Sequence, residues 1–159
     1  MKKAIYAGSF DPFTKGHLEI IKQATKIFDF IYVVIANNPK KKRRYHLSSM
    51  RVEIMETLIE NDIQIDKVKV YQTEELISDY AKKRDVEFLI RGLRNNNDYN
   101  YEENIAKINK ELNPNLKTVY LRSNNEIISS TFVKTIFDYG KDISKYVSPQ
   151  ILKLMENEK

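Results

Sequence analysis

The chain has 159 residues, a length that suits one domain around one core. With 42% hydrophobic and 31% charged residues it reads as an ordinary globular protein, which excludes a disordered chain. It has no cysteine and two histidines, which excludes disulfides, thiol nucleophiles and multi-histidine or cysteine-ligated metal sites, while a formal charge of +5 points to an anionic partner.

Lys2 and Lys3 imitate the start of a signal peptide, but the apolar stretch behind them is short and Asp11-Pro12 breaks it. Lys3 to Ala7 is β-prone and ends at Gly8. A helix is predicted from Gly16 to Phe28, with Leu18, Ile21, Ala24, Ile27 and Phe28 forming an apolar stripe. Phe30 to Ala36 is apolar at nearly every position, as in a strand buried on both faces of a parallel sheet. The clean run within it, Ile31 to Ala36, is far too short to span a bilayer, so a cytoplasmic protein with no membrane partner is expected. Asn37 to His46 reads as a polar, basic loop with His46 exposed.

Ser48 or Ser49 can cap a second helix reaching about Ile59. Lys67 to Tyr71 is a third strand and Glu75 to Lys83 a third helix. A fourth strand, Val86 to Ile90, runs into Arg91-Gly92. Tyr99 to Leu112 reads as a helix with Ile105 and Ile108 inward. Thr118 to Leu121 is a fifth strand. Ser130 to Tyr139 is a helix stopped by Gly140, and Ser148-Pro149 opens a last one, with the tail from Glu156 frayed. This alternation predicts an α/β fold: one Rossmann-like, doubly wound parallel sheet of about five strands, with helices on both faces and a single domain over residues 1–159. Ligands of such folds bind beyond the carboxyl ends of the strands.

Three segments fall on that edge. The first is Gly8-Ser9-Phe10-Asp11-Pro12-Phe13-Thr14-Lys15-Gly16-His17, which joins the first strand to the first helix. Glycine lets a phosphate approach the backbone, the helix start offers unpaired N–H groups, and His17 sets an imidazole beside the anion. The Walker loop and the Gly-x-Gly-x-x-Gly fingerprint are both absent. The second segment is Arg91-Gly92-Leu93-Arg94, followed by Asp98 and Tyr101-Glu102; its arginines suit phosphate binding. The third is Ile128-Ser129-Ser130-Thr131, three hydroxyls at a helix start where capping alone needs one. Lys40 to Arg44 is a run of five cations, usually a solvated face or a nucleic-acid contact.

Gly-x-Phe-Asp-Pro-x-x-x-Gly-His resembles the signature of the cytidylyltransferase-like nucleotidyltransferases, and Thr14-Lys15-Gly16-His17 is similar to their (His/Thr)-x-Gly-His box. Arg-Gly-Leu-Arg-x-x-x-Asp-x-x-Tyr-Glu is similar to the diagnostic segment of the phosphopantetheine adenylyltransferases. The resemblance covers nearly the whole chain. It implies ATP plus 4′-phosphopantetheine giving dephospho-coenzyme A and pyrophosphate, by direct in-line attack, in a homohexamer without a nucleic-acid partner. Ser9, His17 and Lys41 would then contact the reacting phosphates, and Arg91 the acceptor phosphate. Ile77 would meet the pantetheine arm, where Glu75 replaces the family's usual Asp; read without the family, Leu76 and Ile77 are core residues of a helix start.

Phe10, Gly92, Leu93 and Glu102 would line the ATP site. Arg94, with Ser129, Ser130 and Thr131, would face the outgoing phosphates. Asn125, Glu126, Ile127 and Ile128 complete the implied ATP-binding loop, although many relatives carry Trp where this chain has Asn125. Mg2+ would arrive with ATP through phosphate oxygens and water, since no carboxylate pair stands out as its cage. Three readings compete: transfer to another acceptor such as nicotinate mononucleotide, a nucleic-acid-binding module, and a degenerate scaffold. The segment from Arg91 to Glu102 disfavours the first. The scarcity of aromatics beside the basic run, where only Tyr45 sits, disfavours the second. His17, Arg91 and the hydroxyl box disfavour the third.

Overall fold

In the computed structural model, which describes residues 1–123 and 129–159, strand and helix alternate through most of the chain. The elements are β1 (Lys3–Gly8), α1 (Lys15–Ala24), β2 (Phe30–Ala36), α2 (Leu47–Glu60), β3 (Val68–Thr73) and α3 (Ile77–Lys83). They continue with β4 (Phe88–Leu93), α4 (Asn96–Leu112), β5 (Lys117–Arg122), α5 (Ser130–Asp138) and α6 (Pro149–Asn157). The sheet has the order β3-β2-β1-β4-β5, and every neighbouring pair is parallel. This is the doubly wound α/β sheet expected from the sequence.

Period-two alternation explains why both faces are covered. On β1, Ala4 and Tyr6 enter one cluster while Ile5 and Ala7 enter the other. On β2, Ile31, Val33 and Ile35 face the first and Val34 the second. Helices α1, α2, α5 and α6 fill the larger cluster through side chains such as Ile21, Ile54, Val133 and Ile151. Helix α3 closes the smaller one with Tyr80 and Ala81. The chain winds outward from β1 to β3, then returns to place β4 on the other side of β1. That reversal opens a crevice at the carboxyl ends of β1 and β4, where such sheets take their ligands.

Several boundaries move. Helix α1 stops at Ala24, because the Thr25 hydroxyl bonds Lys22 O at 2.7 Å and the chain tightens into Lys26 N–H to Gln23 O and Ile27 N–H to Ala24 O bonds. Phe28 still turns inward, but Ile27 is 47% exposed and leaves the predicted stripe. Helix α2 starts at Leu47 with His46 at its cap, so neither Ser48 nor Ser49 caps it. His46 is exposed as expected, yet its Nδ1 lies 2.6 Å from Glu158 Oε1. The tail is therefore tied down rather than frayed, with α6 running to Asn157. Strand β3 runs on to Thr73, and α3 begins at Ile77 after a turn in which Glu75 N–H meets Thr73 Oγ1.

Strand β4 runs on to Leu93, so Arg91 and Gly92 belong to the strand. Asn95 caps α4 through the Asp98 N–H, so the helix begins at Asn96, three residues before the predicted start. Ile108 points to solvent, and the one buried residue of α4 is Glu102. Among the described residues no helix is long and apolar enough to cross a membrane.

The end of α5 is as predicted. Gly140 has φ +73°, its N–H reaches Phe137 O at 2.9 Å, and Lys141 N–H reaches Ile136 O at 3.2 Å. Those two bonds form a Schellman cap that needs a left-handed residue. A Cβ at Gly140 would meet no atom within 4 Å, so only backbone strain opposes a side chain there. Gly140→Ala should therefore lower unfolding stability by about 1 kcal/mol in urea titrations. An unchanged midpoint would contradict this account of the cap.

Candidate active site at the carboxyl ends of β1 and β4

The turn after β1 is built around an aromatic plug. Phe10 sits at φ 44° and is 1% exposed. Its ring packs 4.9 Å from the His17 ring and 5.5 Å from both Tyr6 and Phe13, centroid to centroid. A Cβ on Gly8 would come within 3.1 Å of this ring. Gly8 thus makes room for Phe10, a role distinct from the phosphate approach that its position alone suggests.

Thr14 caps α1 and His17 stands at its third position. The Thr14 N–H donates to His17 Nδ1 at 2.9 Å, and the His17 N–H donates to Thr14 Oγ1 at 3.4 Å. This is a capping box in which histidine replaces the usual Glu or Gln. Because Nδ1 accepts, the neutral ring carries its proton on Nε2. Burial, followed by the nearby Arg94 and Arg91 charges, pushes the His17 pKa down to about 3. The imidazole is therefore neutral at working pH and can donate from Nε2.

Arg91 projects from β4 beside it. Its Nε and Nη2 grip Glu102 Oε2 and Oε1 at 2.6 and 2.8 Å, and Nη1 donates to Ala7 O at 2.9 Å. Burial opposes the guanidinium charge, but the Glu102 carboxylate outweighs it and holds the Arg91 pKa above its ordinary value. Three of the five guanidinium N–H groups are engaged this way. Arg94 pairs with Asp98 one helical turn on, Nε to Oδ2 at 2.9 Å. A Cβ at Gly92 would meet Ile20 Cγ1 at 3.2 Å, so a side chain there would crowd α1 unless Ile20 shifts by a few tenths of an ångström.

At the start of α5 the three hydroxyls divide their tasks. Ser129 Oγ caps the helix by accepting the Phe132 N–H at 3.3 Å. Ser130 Oγ donates to Pro12 O at 2.7 Å and stitches this helix to the first loop. Thr131 is exposed.

These pieces meet in one cavity of about 520 Å³. Ser9, Phe10, His17, Arg91, Gly92, Arg94, Glu102, Ser129, Ser130 and Thr131 all line it, so His17 and Arg91 open onto the same space. Lys41, Ile77 and Leu93 are not among its lining residues. Lys41 is exposed in the loop after β2, Ile77 packs under the opposite face of the sheet, and Leu93 ends β4 half-buried. Asn125, Glu126, Ile127 and Ile128 lie outside the described residues.

The cavity also takes in Thr14, Asp98 and Tyr101, which the motifs carried without a role, and Tyr6, Ile20 and Ser123, which lay outside the motifs. Two carried a usable signal: Ile20 lies one helical turn after His17, and Tyr6 shares a strand face with Gly8. Among the described residues no group of three or more His, Asp or Glu could cage a metal ion.

The cytidylyltransferase-like family model matches residues 5–136. A phosphopantetheine adenylyltransferase of Thermotoga neapolitana is 38% identical over 154 residues, covering 96% of this chain and 93% of that protein. One from Nautilia profundicola is 40% identical over 153 residues, covering 95% and 97%. Among solved structures, the Plasmodium falciparum nicotinic acid mononucleotide adenylyltransferase complexed with NaAD superposes with a TM-score of 0.71 at 17% identity, covering 99% of this chain and 96% of that one. A bifunctional NMN adenylyltransferase/ADP ribose pyrophosphatase from Francisella tularensis gives 0.75 at 15% identity over 98% of this chain, which spans about half (49%) of that chain. At such identities the structures speak for the fold alone, whereas the sequence matches extend over nearly the full chain. The chain belongs to the cytidylyltransferase-like family and, within it, to the phosphopantetheine adenylyltransferases.

Proposed function

We propose that the protein transfers the adenylyl group of ATP to 4′-phosphopantetheine, releasing pyrophosphate and giving dephospho-coenzyme A. The observation that carries the reading is the convergence of His17, Arg91 and the Ser129–Thr131 helix start on one cavity. The two relatives named above, matched over nearly the whole chain, support the acceptor. A nicotinate mononucleotide acceptor is the second reading; the fold shared with a nicotinic acid mononucleotide adenylyltransferase is compatible with it but does not choose between acceptors. The one nucleotidyltransferase domain would span residues 1–159, in a cytoplasmic homohexamer; that part rests on family resemblance.

The chemistry asks for no base. The acceptor phosphate is already anionic and attacks the α-phosphorus in line, while pyrophosphate leaves on the far side. What the protein supplies is placement and donors aimed at the charge that develops. His17, through its neutral Nε2–H, donates to an α-phosphate oxygen without giving up a proton. The Ser9 segment and Lys41, from its exposed loop, contact the same reacting phosphates. Arg91 orients the acceptor phosphate with the guanidinium edge that Glu102 leaves open. Arg94, Ser129, Ser130 and Thr131 face the β- and γ-phosphates; Ser130, whose proton is committed to Pro12 O, does so through the amides of the first turn of α5. Phe10, Gly92, Leu93 and Glu102 border the nucleotide, Asn125 to Ile128 belong to the same ATP loop, and Ile77 meets the pantetheine arm. Mg2+ would be carried by the triphosphate oxygens of ATP, next to Arg94 and the α5 helix start, and would supply charge screening there.

Two measurements test this reading. Removing one preorganised donor costs roughly a hundred- to a thousandfold in turnover, about 3–4 kcal/mol. His17→Ala should fall by that factor in a pyrophosphate-release assay, and 4′-phosphopantetheine should outperform nicotinate mononucleotide by a wide margin. Near-normal turnover by the variant, or equal use of both acceptors, would sink the assignment.

The neutral state of His17 has a stability signature. Its folded pKa is depressed, so the unfolded chain binds a proton between the ordinary value of 6.5 and about 3 that the folded chain does not. Stability must then fall as pH drops through that window, by about 2 kcal/mol between pH 8 and pH 5. His17→Gln removes this loss, and denaturant titrations at the two pH values measure it. The same slope in both proteins would mean that His17 is charged in the fold.

A further inference from the structure

Asp11 is 7% exposed, and four contacts reach it from two other segments of the chain. Its Oδ1 accepts the Tyr45 N–H and its Oδ2 the Arg44 N–H, both at 2.9 Å. Arg43 Nη2 stands 3.7 Å from Oδ1, and Lys134 Nζ of α5 stands 3.5 Å from Oδ2. Arg43 returns the link: its Nη1 and Nη2 donate to Ser9 O and Phe10 O at 2.8 and 3.4 Å, and its Nε to Tyr45 O at 2.6 Å. Arg44 pairs with Asp138 at the far end of α5. So the last two cations of the basic run are committed to structure, whereas Lys40, Lys41 and Lys42 are exposed.

A buried carboxylate can only accept, and it needs donors on its oxygens. Backbone N–H groups donating to a carboxylate make strong, directional bonds, and these two come from consecutive residues. They fix the path of the chain at Arg44 and Tyr45 against the turn that carries Ser9. Lys41 is two residues before Arg43, so its Cα lies within about 7.6 Å of the Arg43 Cα, which hangs from the Ser9 and Phe10 carbonyls.

We propose that Asp11 is a positioning residue: its carboxylate docks the basic loop onto the first turn so that Lys41 reaches the reacting phosphates from outside the cavity wall. The proposal rests on the role given to Lys41 under the proposed function. It would also give Lys41, which does not line the cavity, a fixed approach to it.

The test is a double-mutant cycle on turnover, with Asp11→Asn and Lys41→Ala singly and together. It is run with whichever acceptor the wild-type protein adenylylates, so a wrong acceptor fails the functional reading and leaves this test intact. Asn keeps the size of Asp11 but loses the charge and one acceptor. Asp11→Asn should lower kcat at least tenfold with a smaller change in the KM for ATP, and should lower it less than threefold in the Lys41→Ala background. Amide exchange at Arg44 and Tyr45 should speed up at least tenfold while the amides of β1 keep their rates. Equal losses in both backgrounds, no effect of Lys41→Ala, or unchanged exchange at those two amides would each overturn the proposal. Should Asp11→Asn fail to fold, Arg43→Gln, which cuts the reciprocal link to Ser9 and Phe10, enters the same cycle with the same expected outcomes.

Discussion

The Thr14–His17 capping box is the contact from which the rest of the site takes its geometry. It begins the first helix, and it also holds the imidazole whose free nitrogen faces the cavity. Two donors at the helix start are satisfied by residues that belong to the site, so the helix cannot form in this register without presenting His17. The bond to Nδ1 selects the tautomer, and burial together with two arginines keeps the ring neutral. A charged imidazolium could not accept from Thr14 N–H, so protonation would cost the cap as well as the desolvation.

The arginines follow a related logic. Two guanidinium groups facing one cavity repel each other and depress the histidine, so each is matched with a carboxylate: Arg91 with Glu102, Arg94 with Asp98. The Arg91 pair is largely buried, where an unmatched charge would be severely destabilising. Pairing also aims the forks. Glu102 takes Nε and one Nη2 proton, and Ala7 O takes one from Nη1, which leaves a defined edge of the guanidinium for an incoming phosphate. Arginine suits this better than lysine because one planar group can serve a carboxylate, a backbone carbonyl and a ligand together.

The fold was legible wherever a single period governed a segment. The apolar run of β2 gave its limits exactly as they stand, and Gly140 and Ser148-Pro149 marked a helix end and a helix start through backbone chemistry that acts locally. Boundaries moved where a distant partner decides. His46 holds a cap position because Glu158, at the other end of the chain, lies against it. Helix α4 buries an acid instead of Ile108 because Glu102 answers Arg91 across the crevice. The site was legible in its three loops, since the sequence order strand, loop, helix already places their residues at one edge. Within the loops, the labour of individual residues was hidden. Gly8 serves Phe10, and Ser130 ties α5 to Pro12; both follow from tertiary contacts that spacing does not encode.

A site for two polyanions faces opposite demands. It must attract both reactants, yet it must not hold pyrophosphate and the adenylylated product so firmly that release fails. Interactions equally strong in ground and transition states do not raise turnover. A cavity whose arginines already carry carboxylates offers ligands less net positive charge than the +5 of the chain suggests. Lys40 to Lys42 are exposed on the loop after β2, outside the cavity wall, where their charge can raise the encounter rate with anionic reactants. In the proposed reaction, stabilisation of the transition state would fall to directed donors of modest charge, foremost the neutral His17, whose Nε2–H bond would strengthen as negative charge grows on the α-phosphate oxygens.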